Sequence, residues 1–149
     1  MTLALLCLLR MLEPAFSFGG VAQDNWKPDH LERLSPGLRT IVRKWESVCG
    51  GSIAAAQQFA LYLSIPGGEL VALHFDDFRC GTRSVLCKSN GCLHEVYYSM
   101  KGRYRRVLSV HARDVRLFHD NDAACIEISG VNGETKVLRW SGRQFVERQ

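Results

Sequence analysis

No apolar stretch of this 149-residue chain is long enough to cross a bilayer as a helix: Thr2 to Leu12 is interrupted by Arg10 and falls well short of the roughly 20 residues that a span requires. A transmembrane anchor is therefore not expected. There is no internal repeat, linker or low-complexity segment, which excludes tandem arrays and extended disordered tails. The excess of one sign of charge is small too. The net charge of +4 lies far from the strongly basic face of a dedicated nucleic-acid binder, so no specific nucleic-acid partner is expected. A short zinc pattern is missing, because no two cysteines stand a few residues apart at the start of a ligand set. The segment His119-Asp120-Asn121-Asp122 offers oxygens but lacks the spaced ligands of a calcium loop and reads as a turn.

What is present fits one ordinary globular domain. The hydrophobic fraction is 46% and the charged fraction 23%, which rules out disorder over most of the length. The first twenty-two residues differ from the rest. A short apolar region, then Pro14 and small residues, leads to Gly20-Val21-Ala22, the small-x-small shape of a signal-peptide cleavage site. The expectation is a signal peptide over residues 1–22 and a single domain over 23–149, periplasmic or secreted; the alternative is a buried N-terminal helix. Cys7 is not a lipid-anchor site, since Leu5-Leu6 before it lacks the small residue such a site needs.

Cleavage after Ala22 leaves Cys49, Cys80, Cys87, Cys92 and Cys125. So dense a cluster as Cys80–Cys92 suits an oxidising compartment. The odd count leaves at least one thiol without an intramolecular partner. Cys87 and Cys92 close a short loop, while Cys80 pairs with either Cys125 or Cys49; sequence alone does not choose.

The segment Gln23–Arg33 reads as an extended lead-in. Ser35-Pro36 is a helix start, with Ser as N-cap and Pro at the first helical position. Leu38, Ile41, Val42, Trp45 and Val48 form one apolar stripe at helical spacing, and Gly50-Gly51 ends it. A second short helix is expected from Ser52 to Tyr62, closed by Pro66-Gly67-Gly68. From Glu69 onward the pattern is one of strands: Leu70–Phe75, Leu93–Met100, Tyr104–His111, Val115–Phe118, Cys125–Val131, Thr135–Trp140 and a last one around Phe145. Asn132-Gly133 is a strong hairpin signal. Short turns favour antiparallel pairing. The predicted fold is α+β: one or two N-terminal helices on a curved antiparallel meander of about five to seven strands.

Phe78-Arg79-Cys80-Gly81, Cys87, Asn90-Gly91-Cys92-Leu93-His94, Gly102-Arg103-Tyr104-Arg105 and Leu138-Arg139-Trp140-Ser141-Gly142-Arg143-Gln144-Phe145 together resemble a group of small secreted proteins of Gram-negative bacteria. Those proteins carry a Cys-rich loop ending in Gly-Cys, then a hairpin, and close on an Arg-Trp-x-Gly-x-x-Phe segment. The resemblance spans Leu38 to Val146 and implies export and a disulfide-bearing sheet; it implies nothing about catalysis. Longer members place a second cysteine after the position of Cys125, and this chain does not.

Two sets of residues carry possible function. Arg103 and Arg105 share a strand face, with Tyr97, Tyr98 and Tyr104 near in sequence; Arg with Tyr suits phosphate, carboxylate or polyanionic glycans. This hairpin is the expected contact surface of a non-enzymatic binding domain, its partner an unidentified protein or an anionic envelope component, with no cofactor, metal or catalytic residue. The alternative is a small hydrolase or metal-dependent enzyme using His74, Asp76 and His94, which requires those three groups to converge. Cys80, Cys87, Cys92 and His94 as zinc ligands is a weaker idea, because the thiols pair with one another when oxidised.

Overall fold

The computed structural model describes residues 26–81 and 85–147, so the expected signal peptide lies outside the described residues. Two helices come first: α1 (Pro28–Glu32) and α2 (Pro36–Cys49). The second is built as its sequence dictates. The Ser35 hydroxyl accepts from the Leu38 backbone N–H, Pro36 occupies the first turn, and Gly50 closes the helix in the left-handed region at φ 68°. Leu38, Val42 and Cys49 are buried, whereas Val48, at the end of the apolar stripe, is 48% exposed.

Among the described residues eleven strands follow: β1 (Ala54–Ala55), β2 (Ala60–Ile65), β3 (Gly68–His74), β4 (Phe78–Arg79), β5 (Cys87–Lys88), β6 (Gly91–Met100), β7 (Arg103–Ala112), β8 (Asp114–Asp120), β9 (Ala123–Ser129), β10 (Thr135–Trp140) and β11 (Phe145–Glu147). All pairings are antiparallel. The fold is α+β, but the strands make two main sheets and not one. A five-stranded sheet runs β2-β3-β6-β5 with β7 also on β6, a four-stranded sheet runs β11-β10-β9-β8, and β1 pairs with β4 alone. The single residue Arg113 separates β7 from β8 and carries the chain from one sheet to the other.

The five-stranded sheet is the middle layer. On one face Val71, Leu73, Phe75, Leu93 and Tyr97 pack with Leu38, Val42, Phe59 and Phe78 beneath α2. On the other, Leu70, Ala72 and Val96 pack with Val115, Ala124, Ile126 and Leu138 of the four-stranded sheet. A strand covered on both sides carries apolar residues without alternation, which is why Leu70-Val71-Ala72-Leu73 is an unbroken run.

Three local expectations fail. The Ser52–Tyr62 segment is not helical: alanine favours helix, but pairing of β2 with β3 overrides so weak a preference. Pro66-Gly67 does not end a helix. It is the two-residue turn of the β2–β3 hairpin, with Ile65 opposite Gly68 and Gly67 at φ 81°, the conformation that a turn with Pro then Gly at its centre requires. Residues 28–32, expected to be extended, form α1 with Pro28 in its first turn.

Cys49 is bonded to Cys80 and Cys87 to Cys92. Cys125, an expected disulfide candidate, is instead a buried free thiol on β9. Cys80 is held at the end of α2, whereas Cys125 lies in the other sheet. No helix among the described residues is long and apolar enough to cross a membrane.

Candidate functional site

The faces of the middle sheet separate the residues expected to act together. Alternation along β6 puts Leu93, Glu95 and Tyr97 toward α2, and His94, Val96 and Tyr98 toward the second sheet. Tyr104 is opposite Ser99 and Arg105 opposite Tyr98. Tyr97 and Tyr104 therefore stand on the helix side. Tyr97 is buried, and the Tyr104 hydroxyl lies 2.7 Å from the Ser35 Oγ. Arg103 and Arg105 are exposed and stand on the other side, where the Arg105 guanidinium lies 6.0 Å from the Tyr98 ring centre and donates to the Arg143 carbonyl at 2.8 Å. The four residues do not form one surface.

The helix side instead opens a cleft of about 520 Å³ between α2 and the β6–β7 hairpin. Ile41, Lys44, Trp45 and Val48 form its helical wall, and Glu95, Tyr97, Tyr104 and Arg106 its sheet wall. Glu95 is the fixed point: its side chain is only 4% exposed, accepts from the Tyr97 hydroxyl at 2.7 Å and from Arg106 at 2.6 Å. Burial, then the hydrogen bond to Glu95, push the Tyr97 phenol far above its ordinary value, so it stays a donor at any physiological pH. The Arg106 guanidinium is held above its ordinary value by its bond to Glu95, and its side chain is 57% exposed. Glu95 is not one of the residues expected from sequence to form a site, yet it has a signal: a carboxylate alternating between Leu93 and Tyr97 on the apolar face of a strand needs a partner.

The other constellation does converge. β3 and β6 pair so that His74 faces His94 directly, and their Nδ1 atoms lie 3.2 Å apart. The chain then enters a short 3-10 turn, Phe75–Asp77, that sends Phe75 into the helix-side core and returns Asp76 toward the imidazoles. Donor atoms of His74, Asp76 and His94 all lie within 4.8 Å of one another. Both imidazoles are buried, which leaves half-buried Asp76 as the member in touch with solvent. Asp77 keeps its carboxyl above the ordinary range, through burial first and the Asp76 charge second. Cys80, Cys87 and Cys92 are all in disulfides and do not join His94.

Burial, and then the neighbouring His74, hold the His94 imidazole below its ordinary value. The folded protein thus resists protonation that the unfolded chain accepts at about pH 6.5. His111 shifts the same way, through burial and then Lys88. Their stabilising effect is complete above the unfolded value and is lost as pH falls below it, because the unfolded chain then binds more protons. In chelator-containing buffer the urea midpoint should be flat from pH 8 to 7 and fall from about 6.5 downward. His94→Gln should flatten most of that slope; a midpoint that does not fall by pH 5 contradicts the buried, neutral assignment.

No protein-family model, curated protein or solved structure matches the chain.

Proposed function

We propose that this chain is an exported, non-enzymatic binding domain that takes an anionic ligand in the cleft between α2 and the β6–β7 hairpin. The observation that carries this reading is the Tyr97–Glu95–Arg106 chain of hydrogen bonds along the cleft wall. It fixes a guanidinium at a defined place on a side chain that stays more than half exposed, which is the preorganisation that recognition of a carboxylate or phosphate needs. Lys44 adds a second cation, whereas the lone carboxylate of the lining, Glu95, is already engaged. Trp45 and Tyr104 supply flat surfaces for the uncharged body of the ligand, as sugar-sized or peptide ligands require. Two disulfides suit an oxidising compartment, and the likeness to small secreted proteins supports the periplasm or the exterior as that compartment. The partner is thus an anionic envelope component.

The test is titration of the purified chain with a uronic-acid oligosaccharide and with an acidic peptide, followed by tryptophan fluorescence and by NMR shift mapping. Lys44→Glu reverses an exposed charge without touching the core and should weaken binding about tenfold or more. Arg103→Ala with Arg105→Ala, on the opposite face, should leave it unchanged. Shifts confined to the Arg103–Arg105 face, or equal affinity in Lys44→Glu, would remove the cleft from consideration.

A further inference from the structure

The opposite face of the middle sheet holds a site that the cleft does not use. We infer that His74, Asp76 and His94 bind a divalent transition-metal ion of the zinc class. The first support is distance. Two nitrogens each about 2.0–2.1 Å from a tetrahedral zinc ion stand roughly 3.3–3.4 Å apart, and the two Nδ1 atoms are already 3.2 Å apart across a regular strand pair. The remaining approach falls to Asp76, the half-buried member within a one-turn helix.

The second support is what these groups lack. The Oδ1 of Asp76 and the Nε2 of His74 are buried without a hydrogen-bond partner, whereas the His94 ring also bonds the Ala112 backbone. Leaving a buried polar atom unmatched is costly, and an ion on the Nδ1 pair would give the Asp76 Oδ1 the partner it lacks in a layer otherwise built from Leu70, Ala72 and Val96. Each ring can carry its proton on Nε2 and turn its Nδ1 lone pair inward. Asp76 supplies negative charge at the rings, and Asp114 adds to it. The donor set selects the ion: two imidazoles and one carboxylate suit zinc, copper or nickel, and are poor for calcium or magnesium, which prefer oxygen. Three protein donors leave a fourth position for water or an outside ligand.

The experiment is calorimetric titration of zinc chloride into tag-free protein freed of metal by chelator and dialysis. One equivalent should bind. Asp76→Asn keeps shape and neutralises the charged donor, and should weaken binding about tenfold or more; His94→Gln should abolish the stoichiometric site. His119→Ala, an exposed histidine on β8, should bind as the parent does. Near-UV circular dichroism reports whether each variant is folded. His94→Gln is read only if it is; Asp76→Asn, at a half-buried position, decides the matter otherwise. No binding at about 100 µM zinc, or unchanged affinity in folded Asp76→Asn, overturns the site and identifies the histidine pair as a hydrogen bond between two neutral rings.

Discussion

Removal of the Cys49–Cys80 bond, as Cys49→Ala with Cys80→Ala, is expected to lower stability by about 4 kcal/mol, and removal of Cys87–Cys92 by about 2 kcal/mol. The difference follows from what each bond forbids the unfolded chain. Cys49 and Cys80 are 31 residues apart, whereas Cys87 and Cys92 are 5 apart, so the first closes much the larger loop. A domain of this size is stable by about 5–15 kcal/mol in all, which makes the first loss a large fraction of the whole. The bond also has a place in the site. It pins the C-terminal end of α2, and the α2 residues Ile41, Lys44, Trp45 and Val48 form one wall of the cleft. The long-loop variant should therefore lose ligand affinity at temperatures where it is still folded, and the short-loop variant should not. Urea melts of the two double variants against the oxidised parent check the order. Equal losses, or a greater loss from the Cys87–Cys92 pair, would show that chain entropy is not what these bonds control.

Local chemistry made α2 and most of the strands legible from sequence. Ser35-Pro36, an apolar stripe and Gly50 state a helix in a single stretch, and the strands after Glu69 are marked by β-formers between turns. The failures at Ser52–Tyr62 and in the number of sheets share a cause. Ser52–Tyr62 has no strong preference of its own and takes its state from β3, which follows it in the chain. The split into two sheets depends on one residue, Arg113, that carries no turn signal. The site residues show the same limit more sharply. That His94 and Glu95 point to opposite faces follows from strand period alone, and so does the shared face of Arg103 and Arg105. Strand period also parts Tyr104 from Arg103, but which face α2 covers does not follow, nor does the β6–β7 register that sets Tyr97 opposite Arg106. Likewise His74 and Asp76 are close in sequence, but His94 reaches them only through the register of β3 on β6. A slip of one residue would turn His94 to the other side of the sheet. Register and layer order are tertiary facts, set by which apolar faces are buried together.

Phe75→Ala joins the two faces in a single measurement. The Phe75 side chain is 1% exposed and lies among Trp45, Phe59 and Phe78, with ring centres 5.0, 5.5 and 5.3 Å away. Truncating it should cost about 3–5 kcal/mol, from lost burial and the cavity left behind. Its neighbours in sequence are His74 and Asp76, and the 3-10 turn that aims Asp76 at the imidazoles is anchored in the core through this ring. Loss of the anchor should therefore weaken zinc binding as well as stability, although Phe75 itself points away from the metal ligands. Ile126→Val, in the core on the histidine side, should cost only about 0.5–1.5 kcal/mol and leave zinc affinity as it was. The comparison separates an effect carried through the turn from general softening of the fold. If Phe75→Ala is destabilised as stated yet binds zinc as tightly as the parent, the turn does not set the position of Asp76, and the pairing of β3 with β6 alone must hold the site together.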